Sequence, residues 1–115
     1  MKFLLTGYLP DDYVPSPEDQ AAACEIHALN AEMEAAGALF FAAGLLPANT
    51  AKTVRTQPSG NVLITDGPYM ETKEHTGGFL ILEAANLEEA LEWARKGAVA
   101  TRRPIEVRQI FFQEG

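Results

Sequence analysis

Positive charge is scarce in this sequence. Lys and Arg number 9 against 16 Asp and Glu, leaving a formal net charge of −7 over 115 residues. A surface so acidic offers no basic patch to a phosphate backbone, which excludes nucleic acid as a partner. Cysteine is scarcer still. Cys24 stands alone, so no intrachain disulfide forms and nothing ties the chain to an oxidising compartment. With only His27 within one helical turn of it, Cys24 reads as a spectator thiol. Long hydrophobic runs are missing too. Phe3, Leu4 and Leu5 are followed at once by Thr6 and Gly7, too short an apolar stretch for a signal-peptide core. The longest uncharged run, Ala35 to Ala51, is broken by Gly37, Gly44 and Pro47 and falls short of the ~20 residues a membrane span needs. No phosphate-cradling glycine loop, Ser-His-Asp pattern or nucleotide fingerprint occurs. The expectation is a cytoplasmic protein with no membrane partner and no cofactor.

What is present describes one domain over residues 1–115. Lys2 to Tyr8 reads as a first strand. Ser16 caps a helix, with Pro17 at its first position and Asp19 completing an imperfect capping pattern. Ala22, Ile26, Leu29, Met33 and Ala36 form that helix's apolar stripe, and Gly37 ends it. Ala38 to Ala42 is a short strand. Thr50 to Gln57 and Val62 to Asp66 are strand-like runs joined by Pro58-Ser59-Gly60-Asn61, a hairpin signal. Gly77 and Gly78 open a strand from Phe79 to Ala84. Asn86 and Glu89 cap a second helix, whose buried stripe is Leu87, Ala90, Leu91 and Ala94 and whose stop is Gly97. Ile105 to Phe112 closes the chain. The order β-α-β-(hairpin)-β-α-β folds into an antiparallel sheet with both helices on one face, an α+β, ferredoxin-like βαββαβ domain with an extra β-hairpin.

Three strands are apolar on both faces: Phe3-Leu4-Leu5, Phe79 to Leu82, and Ile110-Phe111-Phe112. A sheet face without helices would alternate with polar residues. The second face therefore calls for a cover, and a second copy packed sheet to sheet supplies one. At ~800 Å² per partner and ~25 cal/mol per Å² of apolar area, such an interface can hold a homodimer.

The segment Asp66-Gly-Pro-Tyr-Met-Glu-Thr-Lys-Glu74 says most about function. Val62 to Thr65 deliver Asp66 to a strand end, and Gly67-Pro68 stops the strand. Loops at strand ends are where sites gather, although Asp-Gly is equally an ordinary turn dipeptide. The segment closely resembles Asp-Gly-Pro-Phe-Ala-Glu-Thr-Lys-Glu, the signature of the DGPF branch of YCII-related proteins. Thr53-Val54-Arg55 with Val62 to Thr65, Gly77-Gly78-Phe79, Leu87 to Ala94 and Ile105 to Arg108 resemble that family's flanking elements. The resemblance implies a dimeric α/β barrel with a pocket in each subunit. Some YCII relatives are dehydrochlorinases of chlorinated hydroxylated aromatic rings, the wider superfamily includes muconolactone isomerases, and DGPF members resemble proteins encoded beside extracytoplasmic-function sigma factors. Tyr69, Met70 and His75 depart from the usual Phe, Ala and Gln.

Relatives outside the branch are thought to use a His–Asp pair, and His27 resembles their histidine in its spacing before Gly44. An imidazole oriented by Asp66 would suit proton transfer on a small ring. His27 nevertheless sits on the flank of its helix with Asn30 and Glu34, which reads equally as a solvated edge. The resemblance makes Tyr69 and Lys73 neighbours of Asp66 in the pocket. Arg55 and Arg108 match a carboxylated substrate, or else pair with the many Glu side chains. Glu71 and His75 share an i, i+4 spacing too sparse for a metal site. Trp93 reads as packing. Two readings result: a small-molecule-binding protein performing lyase- or isomerase-type chemistry on an aromatic or carboxylated metabolite through Asp66 and His27, and a non-catalytic module that senses a ligand or engages a protein partner such as a sigma factor.

Overall fold

The first strand sets the layers. In β1 (Lys2–Pro10) alternate side chains point to opposite sides, and Phe3 and Leu5 are buried. Leu5 lies opposite Leu80 of β5 (Glu74–Glu83) and Val107 of β6 (Ile105–Gln109), so these residues share one face. With β2 (Leu39–Gly44) they form an antiparallel sheet in the order β2-β5-β1-β6. The computed structural model describes residues 1–114. Helices α1 (Pro17–Ala35) and α2 (Leu87–Thr101) pack on the Leu5 face. Ala90 and Ala94 of α2 meet Phe3, Leu5 and Leu82, while Leu29 and Met33 of α1 meet Ala38 and Ala100. This is the expected ferredoxin-like arrangement. No helix among the described residues is long and apolar enough to cross a membrane.

The hairpin stands apart as its own two-stranded sheet, β3 (Lys52–Thr56) paired with β4 (Val62–Asp66). The strand expected from Thr50 starts later, because Ala48–Thr50 after Pro47 forms a turn of 3-10 helix. Strand β1 runs past Tyr8 to Pro10, and β2 is shifted to end at Gly44. Strand β6 ends at Gln109 rather than Phe112, with the Ile110 N–H still bound to the Lys2 carbonyl at 2.9 Å.

Two glycine readings need correction. Gly77 and Gly78 lie inside β5, which begins at Glu74. Gly7 pairs with Gly78 and Tyr8 with Thr76, so Gly77 is the extra residue of a β-bulge. A Cβ on Gly77 would come within 2.6 Å of Leu9 Cδ1, and one on Gly78 within 3.1 Å of the Ala43 carbonyl. Close approach, rather than strand opening, is what these glycines permit. Gly97 does not stop α2 either. The helix runs on to Thr101 and ends at Arg102, whose φ of 59° is left-handed. The Arg102 guanidinium offsets that unusual backbone by reaching the Ala100 carbonyl at 3.1 Å and Glu25 of α1 at 3.2 Å. In the same helix Leu87 and Leu91 are each 48% exposed, not buried. Ala90 and Ala94 hold the centre of the stripe and let α2 lie close to the sheet, which leaves the leucines on its flank.

The opposite sheet face carries no helix. Leu4 pairs with Ile81 and Arg108, and Thr6 with Phe79 and Glu106. A bulge at Phe40 brings Phe41 opposite Ile81, and the Phe41 and Phe79 rings lie 6.0 Å apart. Val54, Val62 and Ile64 extend exposed apolar surface onto the hairpin.

Candidate ligand cavity and the residues at its mouth

Small residues keep α1 and the sheet from closing on each other. Ala22 and Ala23 on α1, Gly77 and Gly78 on β5 and Gly97 on α2 border a cavity of about 480 Å³. Its interior is apolar, lined by Ile26, Leu29, Met33, Leu80 and Trp93. Volumes of this order, with an apolar interior and few polar groups, are usual for small-molecule sites.

Besides Tyr8, Asn30 and Thr101, the polar lining residues come from segments that flank the sheet. Tyr13 is on the loop after β1, Asp19 in the first turn of α1, and Arg103 just beyond the left-handed Arg102. The Asp19 carboxylate accepts the Ser16 N–H, and the Tyr13 phenol lies beside it. That phenol, then the Ser16 N–H and more weakly the Arg103 charge, hold the Asp19 carboxyl below its usual range. The neighbouring Asp19 carboxylate in turn raises the Tyr13 phenol above its ordinary value. Arg103 Cζ sits 5.2 Å from the centre of the Tyr13 ring, within cation–π range.

A second polar cluster ties the signature segment to the loop after β1. His75 Nδ1 is 2.6 Å from Asp11 Oδ1, and Nε2 is 2.7 Å from the Met70 carbonyl. The Asp11 N–H donates to the Lys73 carbonyl at 2.8 Å. The Met70 carbonyl first, and Asp11 second, raise the His75 pKa. The helical spacing of Glu71 and His75 does not arise, since β5 has begun at Glu74.

The residues singled out in the sequence are dispersed. Asp66 ends β4 with its side chain 88% exposed and is ion-paired to Lys52. Tyr69 lies beneath Arg55, whose Cζ is 4.9 Å from the ring centre. Lys73 is exposed. Arg108 pairs with Glu106 at 3.4 Å, on the sheet face away from the helices. His27 is exposed on α1. None of them lines the cavity, and no hydrogen bond joins His27 to Asp66 among the described residues.

The YCII-related domain family matches residues 1–112. The chain belongs to the YCII-related family. It is also similar to an uncharacterised protein of Rhizobium meliloti (strain 1021), 37% identical over 78 residues, which cover 68% of this chain. The match spans 62% of that relative's length.

In this YCII-related chain the cavity mouth was hidden from local sequence reading. Asp19 carries a capping signal, Tyr13 lies in the loop after β1, and Arg103 follows a helix that runs four residues past Gly97. The signal available was the cluster of small residues, Ala21-Ala22-Ala23 and Gly77-Gly78, which mark surfaces that stay open or approach closely.

Proposed function

We propose that this YCII-related protein binds a small organic molecule between α1 and the sheet. The observation that carries the reading is the apolar cavity of about 480 Å³ with its Tyr13, Asp19 and Arg103 mouth. Binding without chemistry fits this mouth best. General acid–base work favours groups that titrate near the working pH, whereas here the phenol is held protonated and the carboxylate ionised. A lyase- or isomerase-type proton transfer through His27 and Asp66 needs those side chains brought together by assembly, since no bond joins them within one chain.

The DGPF branch fits the Asp66–Glu74 segment, and the lone cysteine fits a cytoplasmic setting. We also infer a homodimer, with a second copy covering Leu4, Phe41, Phe79 and Ile81. The apolar surface exposed on the hairpin extends that face. Binding is tested by thermal shift of the purified protein against small organic acids and phenols, comparing wild type with Ala22→Leu. The reading expects stabilisation by at least one compound class that the added side chain abolishes. An equal shift in Ala22→Leu moves the ligand out of the cavity and overturns it.

A further inference from the structure

We propose that Arg103 recognises the carboxylate of an amphipathic monocarboxylic acid whose apolar body fills the α1–sheet cavity. This rests on the cavity being a ligand site and goes further, in naming the ligand's chemistry and its orientation.

Arg103 is the one cationic side chain among the lining residues. The other arginines of the C-terminal third are engaged, Arg95 with Glu92, Arg102 with Glu25 and Arg108 with Glu106, while Arg55, which does not line the cavity, rests on Tyr69. Among the described residues the Arg103 guanidinium has no carboxylate within ion-pair distance and no hydrogen-bond acceptor, in a chain holding 16 acidic residues. Its backbone is fixed nonetheless. The Arg103 N–H donates to Thr101 Oγ1 at 3.3 Å, the Thr101 hydroxyl donates back to the Arg103 carbonyl at 3.4 Å, and the left-handed Arg102 turns the chain there. The Tyr13 ring supports the guanidinium without using its N–H groups. A half-buried, pre-positioned guanidinium with free donors matches a carboxylate bidentately.

Asp19 is the one anionic group in the lining. It accepts the Ser16 N–H and stands beyond ion-pair distance of Arg103, so the two charges interact only weakly and the guanidinium keeps its donors free. Its fixed negative charge disfavours a doubly charged head group at the same mouth, which selects a monoanion over a phosphate. Beyond the mouth the walls are Ile26, Leu29, Met33, Leu80 and Trp93. The acid end therefore stays at Arg103 and the apolar end goes inward.

Trp93 is the chain's single tryptophan and lines the cavity, so its emission reports occupancy. The full chain is titrated with 4-phenylbutyrate, its uncharged isostere 4-phenylbutyramide, and phenyl phosphate. The expected result is saturable binding of 4-phenylbutyrate, about tenfold or more tighter than the amide, with the phosphate weaker than the carboxylate. Arg103→Gln brings the acid down to the amide's affinity and leaves the amide unchanged, while Arg103→Lys falls between. An unliganded melting temperature near wild type in either variant shows that folding is intact. If wild type binds acid and amide equally, or both variants bind the acid like wild type, carboxylate recognition is overturned while the cavity stands. Tighter binding of the phosphate overturns the monoanion assignment. If no probe changes Trp93 emission at low millimolar concentration, the cavity reading itself fails.

Discussion

His75 Nδ1 lies 2.6 Å from Asp11 Oδ1 while its Nε2 faces the Met70 carbonyl at 2.7 Å. Both ring nitrogens meet acceptors, and only the imidazolium can donate from both. The contact therefore fastens the end of the 66–74 segment to the loop that carries Tyr13, and it does so in the protonated state. Because the folded pKa is raised above the unfolded value of ~6.5, its stabilisation is complete below ~6.5 and is lost as pH rises through the folded value. Melting temperature should fall over that window in wild type. In His75→Gln this component should vanish, and a wild-type profile retained in that variant would contradict the clamp.

Gly77 is expected to resist substitution for steric reasons. A Cβ there meets Leu9 Cδ1 at 2.6 Å and Cγ at 2.7 Å, so Gly77→Ala should cost ~1–3 kcal/mol by overpacking. Denaturant unfolding of Gly77→Ala with and without Leu9→Ala checks it. The double variant should lose less than the sum of the single ones.

Burial on α2 and its sheet predicts unequal costs for similar truncations. Leu82 is fully buried at 0% exposure while Leu91 is 48% exposed. Leu82→Ala should cost ~2–5 kcal/mol, and Leu91→Ala under ~1 kcal/mol in the isolated chain. Urea midpoints at constant slope measure both.

The elements that local periodicity could carry were legible. Leu29 and Met33 follow the α1 stripe, Asn86 accepts the Glu89 N–H at 2.9 Å, and β4 spans Val62–Asp66 as expected. Glycine was the misleading residue: Gly77 and Gly78 mark close approach and Gly97 lies inside α2, yet all three read locally as punctuation. The cavity mouth was not legible at all. Tyr13, Asp19 and Arg103 are brought together only by packing, whereas Asp66, conspicuous in a nine-residue signature, is held at a strand end by Lys52.

The uncovered sheet face predicts self-association. Light scattering at micromolar concentration should give twice the 12.5 kDa chain mass, and Ile81→Glu, which places a charge among Leu4, Phe41 and Phe79, should shift it to the single-chain mass. A monomeric wild type would refute the dimer.

Binding between α1 and the sheet is tested by where a ligand sits. Intermolecular NOEs between 4-phenylbutyrate and the protein should connect its phenyl ring to the Met33 methyl, to Leu29 and to the Trp93 indole. Contacts confined to Leu4, Phe41 or Ile81 on the opposite sheet face would contradict binding between α1 and the sheet.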